Sequence, residues 1–202
     1  MLVCPIFANE GLPTVPDGFM PRAVEMARAA GGVVIADEVQ AGYCRTGRWW
    51  GYEVAGFEPD IVVTGKPMGA GLPLAGTTAS RELVETFRRT GYFNTFASSP
   101  LQGAVGKAVI DIIEEEGLRH NVKRVGARLI EGLKQMQPDC PVMGDVRGHG
   151  LFVGVDLVED PVTKAPDREA AADIVNALKD RVSWPAAPAR SATSSSCVRR
   201  SS

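Results

Sequence analysis

The 202-residue chain is 45% hydrophobic and 23% charged, the balance of an ordinary globular protein of one or two domains. Its net charge of -2 offers no basic field to nucleic acid or to an acidic membrane surface, and no apolar run approaches the roughly 18 residues of a membrane span. Cys4, Cys44, Cys140 and Cys197 form no CxxC pair and His120 and His149 have no neighbour at zinc spacing, which argues against a disulfide framework and a metal site and for reduced thiols in the cytoplasm.

The first residues, Met1 to Pro5, carry no basic start, and Asn9 and Glu10 interrupt their apolar run, so they do not read as a secretory signal. A helix is expected over 19–30, with Phe19, Ala23, Met26, Ala27 and Ala30 on one stripe and Gly31-Gly32 as its stop. Val33 to Ala36 is too short for a core helix and reads as a buried parallel strand, whose C-terminal end delivers Asp37 and Glu38. Ile61 to Thr64 repeats the pattern and delivers Gly65-Lys66. Leu74 to Ala79 is a third strand, stopped by Ser80, whose hydroxyl can cap a helix starting at Arg81.

Ser98 or Ser99 can cap a helix with Pro100 in its first turn. Its buried stripe would be Leu101, Ala104, Val105, Ala108, Val109, Ile112 and Ile113. A helix from Leu118 to Met136 follows, then a half-buried strand with Leu151, Val153, Val155 and Leu157 on one face, then a helix around Ala170 to Leu178. Alternating helix and strand signals predict an α/β fold with a mainly parallel sheet. The expected division is a large-domain portion at 1–116, a smaller α+β portion at 117–180, and a serine- and arginine-rich tail at 181–202 without periodicity. No internal repeat is visible.

Asp37 and Lys66 both emerge where an open α/β sheet binds its ligands, at the C-terminal ends of strands. Asp37 could cap a loop and Lys66 could reach to water along its aliphatic stem. A cofactor that needs both an amine and a carboxylate is the sharper reading. Pyridoxal 5'-phosphate (PLP) is such a cofactor: its aldehyde takes a lysine as a Schiff base and its ring nitrogen wants an acid beside it. A phosphate-binding loop of the Walker type does not fit, because Pro67 stands where Ser or Thr is required. A dinucleotide fingerprint at Gly69 to Gly71 is broken by Leu72-Pro73 where a helix should open.

The blocks Asp37 to Gly47, Pro59 to Val62 and Lys66 to Pro73 together resemble the signature of the class III, or omega, aminotransferases. Phe93-Asn94-Thr95-Phe96 with Pro100, and Arg147 to Phe152, extend the likeness, which covers roughly residues 5 to 180. The resemblance implies PLP-dependent transferase fold type I, in a partial large domain and a partial small domain. It implies that Lys66 forms the Schiff base, Asp37 pairs with the pyridine nitrogen, Gln40 reaches the phenolic oxygen, and Thr95 binds the cofactor phosphate of a partner subunit. A homodimer, with an amino donor and a 2-keto acid as substrates, goes with it.

Pro5 to Gly11 and Lys66-Pro67-Met68 look closest to the branch that holds alanine–glyoxylate aminotransferase relatives and phospho-lyases of phosphoethanolamine or phosphohydroxylysine. Amino transfer and phosphate elimination are both open on these residues. The family's glycine- and serine-rich phosphate loop and its substrate-binding arginine region are not found, so the sequence looks shortened at both ends. A remnant without turnover, which would keep only the dimer surface, is the rival of a different class. A plain nucleotide-binding module is the least favoured.

Overall fold

The computed structural model describes residues 1–181; the tail expected at 181–202, with Cys197, lies outside them except for Arg181, which ends a helix instead. The chain forms two compact units. The first takes Met1–Ala8 and Val15–Val122, and the second takes Asn9–Thr14 and, among the described residues, 123–181.

The first unit is built on a four-stranded sheet in chain order: β1 (Leu2–Val3), β2 (Ile35–Asp37), β3 (Ile61–Thr64) and β4 (Gly76–Ala79). β1, β2 and β3 are parallel and β4 is antiparallel to β3. Helix α1 (Phe19–Ala29) covers the start of β2, and its end is set by glycine. Gly31 has φ +77°. Its N–H donates to Arg28, and that of Gly32 donates to Ala27, the paired bonds that close a helix through a left-handed residue. The core beside it joins Met20, Val24, Val34, Ala36 and Phe57.

The expected stripe of α1 is out of phase by one position. Phe19 and Met26 are 53% and 62% exposed, while Met20 and Val24 are buried. An alanine-rich helix fixes its phase weakly, because alanines fit either face. β2 likewise starts two residues later than the apolar run, at Ile35: the Val34 N–H donates to the Asp60 side chain, at Oδ2 and 2.7 Å, instead of to a strand carbonyl.

Helix α2 (Gly51–Ala55) is short, and α3 (Arg81–Arg88) begins as expected, with Ser80 Oγ accepting the Leu83 N–H. Helix α4 (Pro100–Glu115) starts on its proline. Of its predicted stripe only Ile113 is buried, beside Gly106, and Leu101 and Ile112 face outward. Ile113 packs with Tyr43 and Cys44 against Trp49, Trp50 and Met68.

The second unit contains most of α5 (Leu118–Met136), the antiparallel hairpin β5 (Met143–His149) and β6 (Phe152–Leu157), and α6 (Arg168–Arg181). Met143, Val146 and Leu157 form its core with Ile130, Leu133, Val155 and Ile174. β5 was not anticipated, because Gly144, Asp145, Arg147 and Gly148 carry no apolar alternation. In β6 Leu151 falls outside the strand and is exposed, whereas both Phe152 and Val153 are buried. The reason is cover on the second face: a Cβ on Gly154 would meet Gly11 and Leu12 at 3.5 Å.

Candidate active site

Because β2 and β3 are adjacent and parallel, their C-terminal ends open at one edge of the sheet. Asp37 closes β2 in register with Val63, and Lys66 stands three residues beyond Val63. The Glu38 N–H still donates to the Val63 carbonyl at 2.8 Å, so the pairing outlasts Asp37 by one residue. Gly65 is buried, and a Cβ there would lie 3.5 Å from Val39. The residue before Lys66 therefore sits against the loop that follows Asp37.

Asp37 is half-buried, and its Oδ1 accepts the Val39 N–H at 3.1 Å. Gln40 lies in the next turn, which the Gly42 N–H closes onto the Glu38 carbonyl at 2.9 Å. Lys66 is exposed. It has φ +35° and opens the single 3-10 turn Lys66–Gly69, where the Met68 N–H donates to the Gly65 carbonyl at 3.0 Å. The structure thus gathers Asp37, Gln40 and Lys66 at one sheet edge.

Two features brace that edge. Thr64 is buried at the end of β3, with its hydroxyl 3.2 Å from the Gly76 carbonyl oxygen and 3.5 Å from Met68 Sδ. Burial pushes the Tyr43 phenol pKa up, against a hydrogen bond with Thr64 that lowers it. Tyr43 and Cys44 have φ +57° and +68°, a pair of left-handed non-glycine residues of the kind that only a well-held loop sustains.

Glu38 is wholly buried. Its Oε2 accepts the Gly51 N–H at 2.7 Å and its Oε1 accepts the Tyr52 N–H at 2.8 Å. Burial raises its pKa, and these two amide donors pull it back down. Sequence reading passed over Glu38, since partners 13 and 14 residues away leave no local trace.

Thr95 stands apart from the strand tips, on an exposed loop between Phe93 and Phe96, which are 82% and 91% exposed. Asn94 shapes that loop by accepting the Phe96 N–H at 2.9 Å. No hydrogen bond among those described joins Thr95 to Asp37 or Lys66.

In the second unit, Arg147 uses all five of its donors. Nε and Nη2 donate to the carbonyls of Leu12 and Gly11 at 2.6 and 2.7 Å. Nη1 and Nη2 hold Asp156 at 2.7 and 2.8 Å, and Nη1 also reaches Asp145 at 2.9 Å. That web makes Arg147 a structural tie and explains why Asn9–Thr14 belongs with the hairpin.

At the sheet edge an amine and a carboxylate arrive from neighbouring tips with an amide side chain beside them. This donor set fits an aromatic aldehyde that carries a ring nitrogen and a phenolic oxygen: amine for aldehyde, acid for nitrogen, amide N–H for oxygen. Among the described residues no group of His, Cys, Asp and Glu could hold a metal ion, and no helix is long and apolar enough to cross a membrane.

Comparison with known proteins gives the family. The family model for aminotransferase class-III matches residues 1–182. An alanine–glyoxylate aminotransferase 2-like protein of Drosophila melanogaster is 41% identical over 167 residues, which is 81% of this chain and 34% of that protein. Human mitochondrial alanine–glyoxylate aminotransferase 2 is 37% identical over 164 residues, 80% of this chain and 32% of that one. A phospholyase from Arthrobacter, solved in complex with phosphoethanolamine, superposes with a TM-score of 0.85 at 36% identity, covering 89% of this chain and 43% of that chain. The chain thus spans about a third of the length of the curated relatives it matches.

Proposed function

Since the chain belongs to the class III aminotransferase family, we propose that it binds PLP at the Asp37–Lys66 edge and serves amino-group transfer from an amino acid or amine to a 2-keto acid. The observation that supports this reading is the in-register pairing of Asp37 with Val63, three residues before Lys66, so that the two residues follow the C-terminal ends of adjacent parallel strands.

PLP, when bound, supplies an aldehyde for amines and a ring that accepts the electron pair left when a bond at the substrate's amino carbon breaks. Lys66 would hold the aldehyde at rest. Its amine, once displaced, would move the proton at that carbon. The Asp37 carboxylate would keep a proton on the ring nitrogen by favouring its charged form. Gln40 would donate to the phenolic oxygen. In a homodimer, Thr95 would reach the phosphate held by the other subunit. A reducing location such as the cytoplasm is supported by the free thiols of Cys4, Cys44 and Cys140.

The Arthrobacter phospholyase, at a TM-score of 0.85, supports a second reading, in which the same residues serve loss of phosphate from a phosphorylated amine. Titration of the purified chain with PLP should give a visible band near the violet that Lys66→Ala abolishes; identical spectra would overturn the role of Lys66. Pyruvate with an amino donor, against phosphoethanolamine with phosphate release followed, then separates transfer from elimination.

A further inference from the structure

We infer that Glu38 is a positioning residue that locks Asp37 and Gln40 into one rigid turn, an inference that rests on the PLP-binding reading above. Glu38 stands next to one proposed cofactor contact and two residues from the other. It makes four hydrogen bonds to three separate stretches of chain. Its N–H donates to Val63 of β3, and its carbonyl accepts from Gly42 and closes the turn around Gln40. Its two carboxylate oxygens take the amides of Gly51 and Tyr52.

The chemistry of the side chain is specific. Two backbone N–H groups converge there, and only a carboxylate offers them two acceptor oxygens without a donor. A glutamine would turn an NH2 toward one of the two amides. An acid fully removed from water is costly, and the two amides that open helix α2 offset part of that cost. Gly51 is also committed to the arrangement. A Cβ there would stand 2.6 Å from the Ala41 Cβ and 3.3 Å from Glu38 Oε2, so a side chain at that position would push the loop off the carboxylate.

Successive residues of an extended chain point to opposite faces, and here Glu38 is wholly buried while Asp37 is half-buried. Glu38 therefore acts through the backbone, by fixing the peptides on either side of it. The turn 37–42 and the amides of Gly51 and Tyr52 should open together as one cooperative unit.

Amide hydrogen exchange of the full chain without PLP, in wild type and Glu38→Gln, tests this. In wild type the amides of Glu38, Gly42, Gly51 and Tyr52 should exchange with closely similar protection. In Glu38→Gln all four should exchange about tenfold faster, the loss of one hydrogen bond to a charged group, and the affinity for added PLP should fall by a similar factor. Faster exchange at Gly51 and Tyr52 alone, with Glu38 and Gly42 unchanged, would overturn the inference. Should the variant fail to fold, independent opening of the two amide pairs in wild type overturns it equally. A wild type that binds no PLP counts against the cofactor reading, while the exchange pattern still decides the role of Glu38.

Discussion

Each compact unit buries a charged side chain against a distant stretch of its own backbone, and the two do it with opposite signs. Glu38 receives only amide N–H groups. Arg147 donates to two carbonyls and is also paired with Asp156 and Asp145. Amide dipoles leave much of the cost of burying an acid uncompensated, so the proton competes for Glu38 and burial lifts its pKa. Counter-ions keep Arg147 charged, and the vulnerable step there is loss of a partner. The first tie is thus sensitive to pH in a way that the second is not.

The largest break in this comparison should come from Arg147→Ala. It strips Asp156 of its cation and two carbonyls of their donors, and should lower the stability of the second unit by about 3 kcal/mol in urea unfolding. Arg147→Lys should recover little of that loss, because one ammonium cannot span a carboxylate and two carbonyls.

Cys44 reports on the loop that Glu38 holds. It is 2% exposed, and burial pushes its thiol pKa up to about 11. At pH 8 iodoacetamide should label it about a hundredfold more slowly than an ordinary exposed thiol, and Glu38→Ala should shorten that delay. Peptide mass spectrometry, with Cys4 and Cys140 in the same sample, gives the comparison.

A smaller effect is expected with pH. The folded chain holds the Glu38 proton more tightly than the unfolded chain does. Its contribution to stability is therefore present below the ordinary 4.5 and lost as pH rises through the elevated value. Asp60 runs the other way. The Val34 amide, and then Arg28, lower its pKa, so its contribution is present above 3.8 and fades as pH falls. In Glu38→Gln only the first dependence should vanish from urea midpoints measured across pH. Thr95→Ala should move stability least, by under about 0.5 kcal/mol, since it is exposed.

These contrasts also mark how far the sequence could be read. The placement of Asp37 and Lys66 at the ends of β2 and β3 was legible because β-branched runs end just before them. Ser80 and Gly31-Gly32 were legible because a cap is a local event. The phase of α1 and the buried face of α4 were not, because small apolar residues lie on several faces and neighbours decide which is covered. β5 was invisible for a related reason: it exists through its pairing with β6. Glu38 with Gly51, and Arg147 with Gly11, join residues far apart in the chain, and nothing in a local window records such a bond.

Lys66 sits in the left-handed region of backbone space, with φ +35°, where a side chain costs about 1 kcal/mol and glycine costs little. Selection of variants by heat resistance alone would thus favour Lys66→Gly and discard the amine that we propose holds the cofactor. In this chain a gain in melting temperature and a loss of function can come from the same codon, so stabilised versions should be screened for the cofactor band before they are kept.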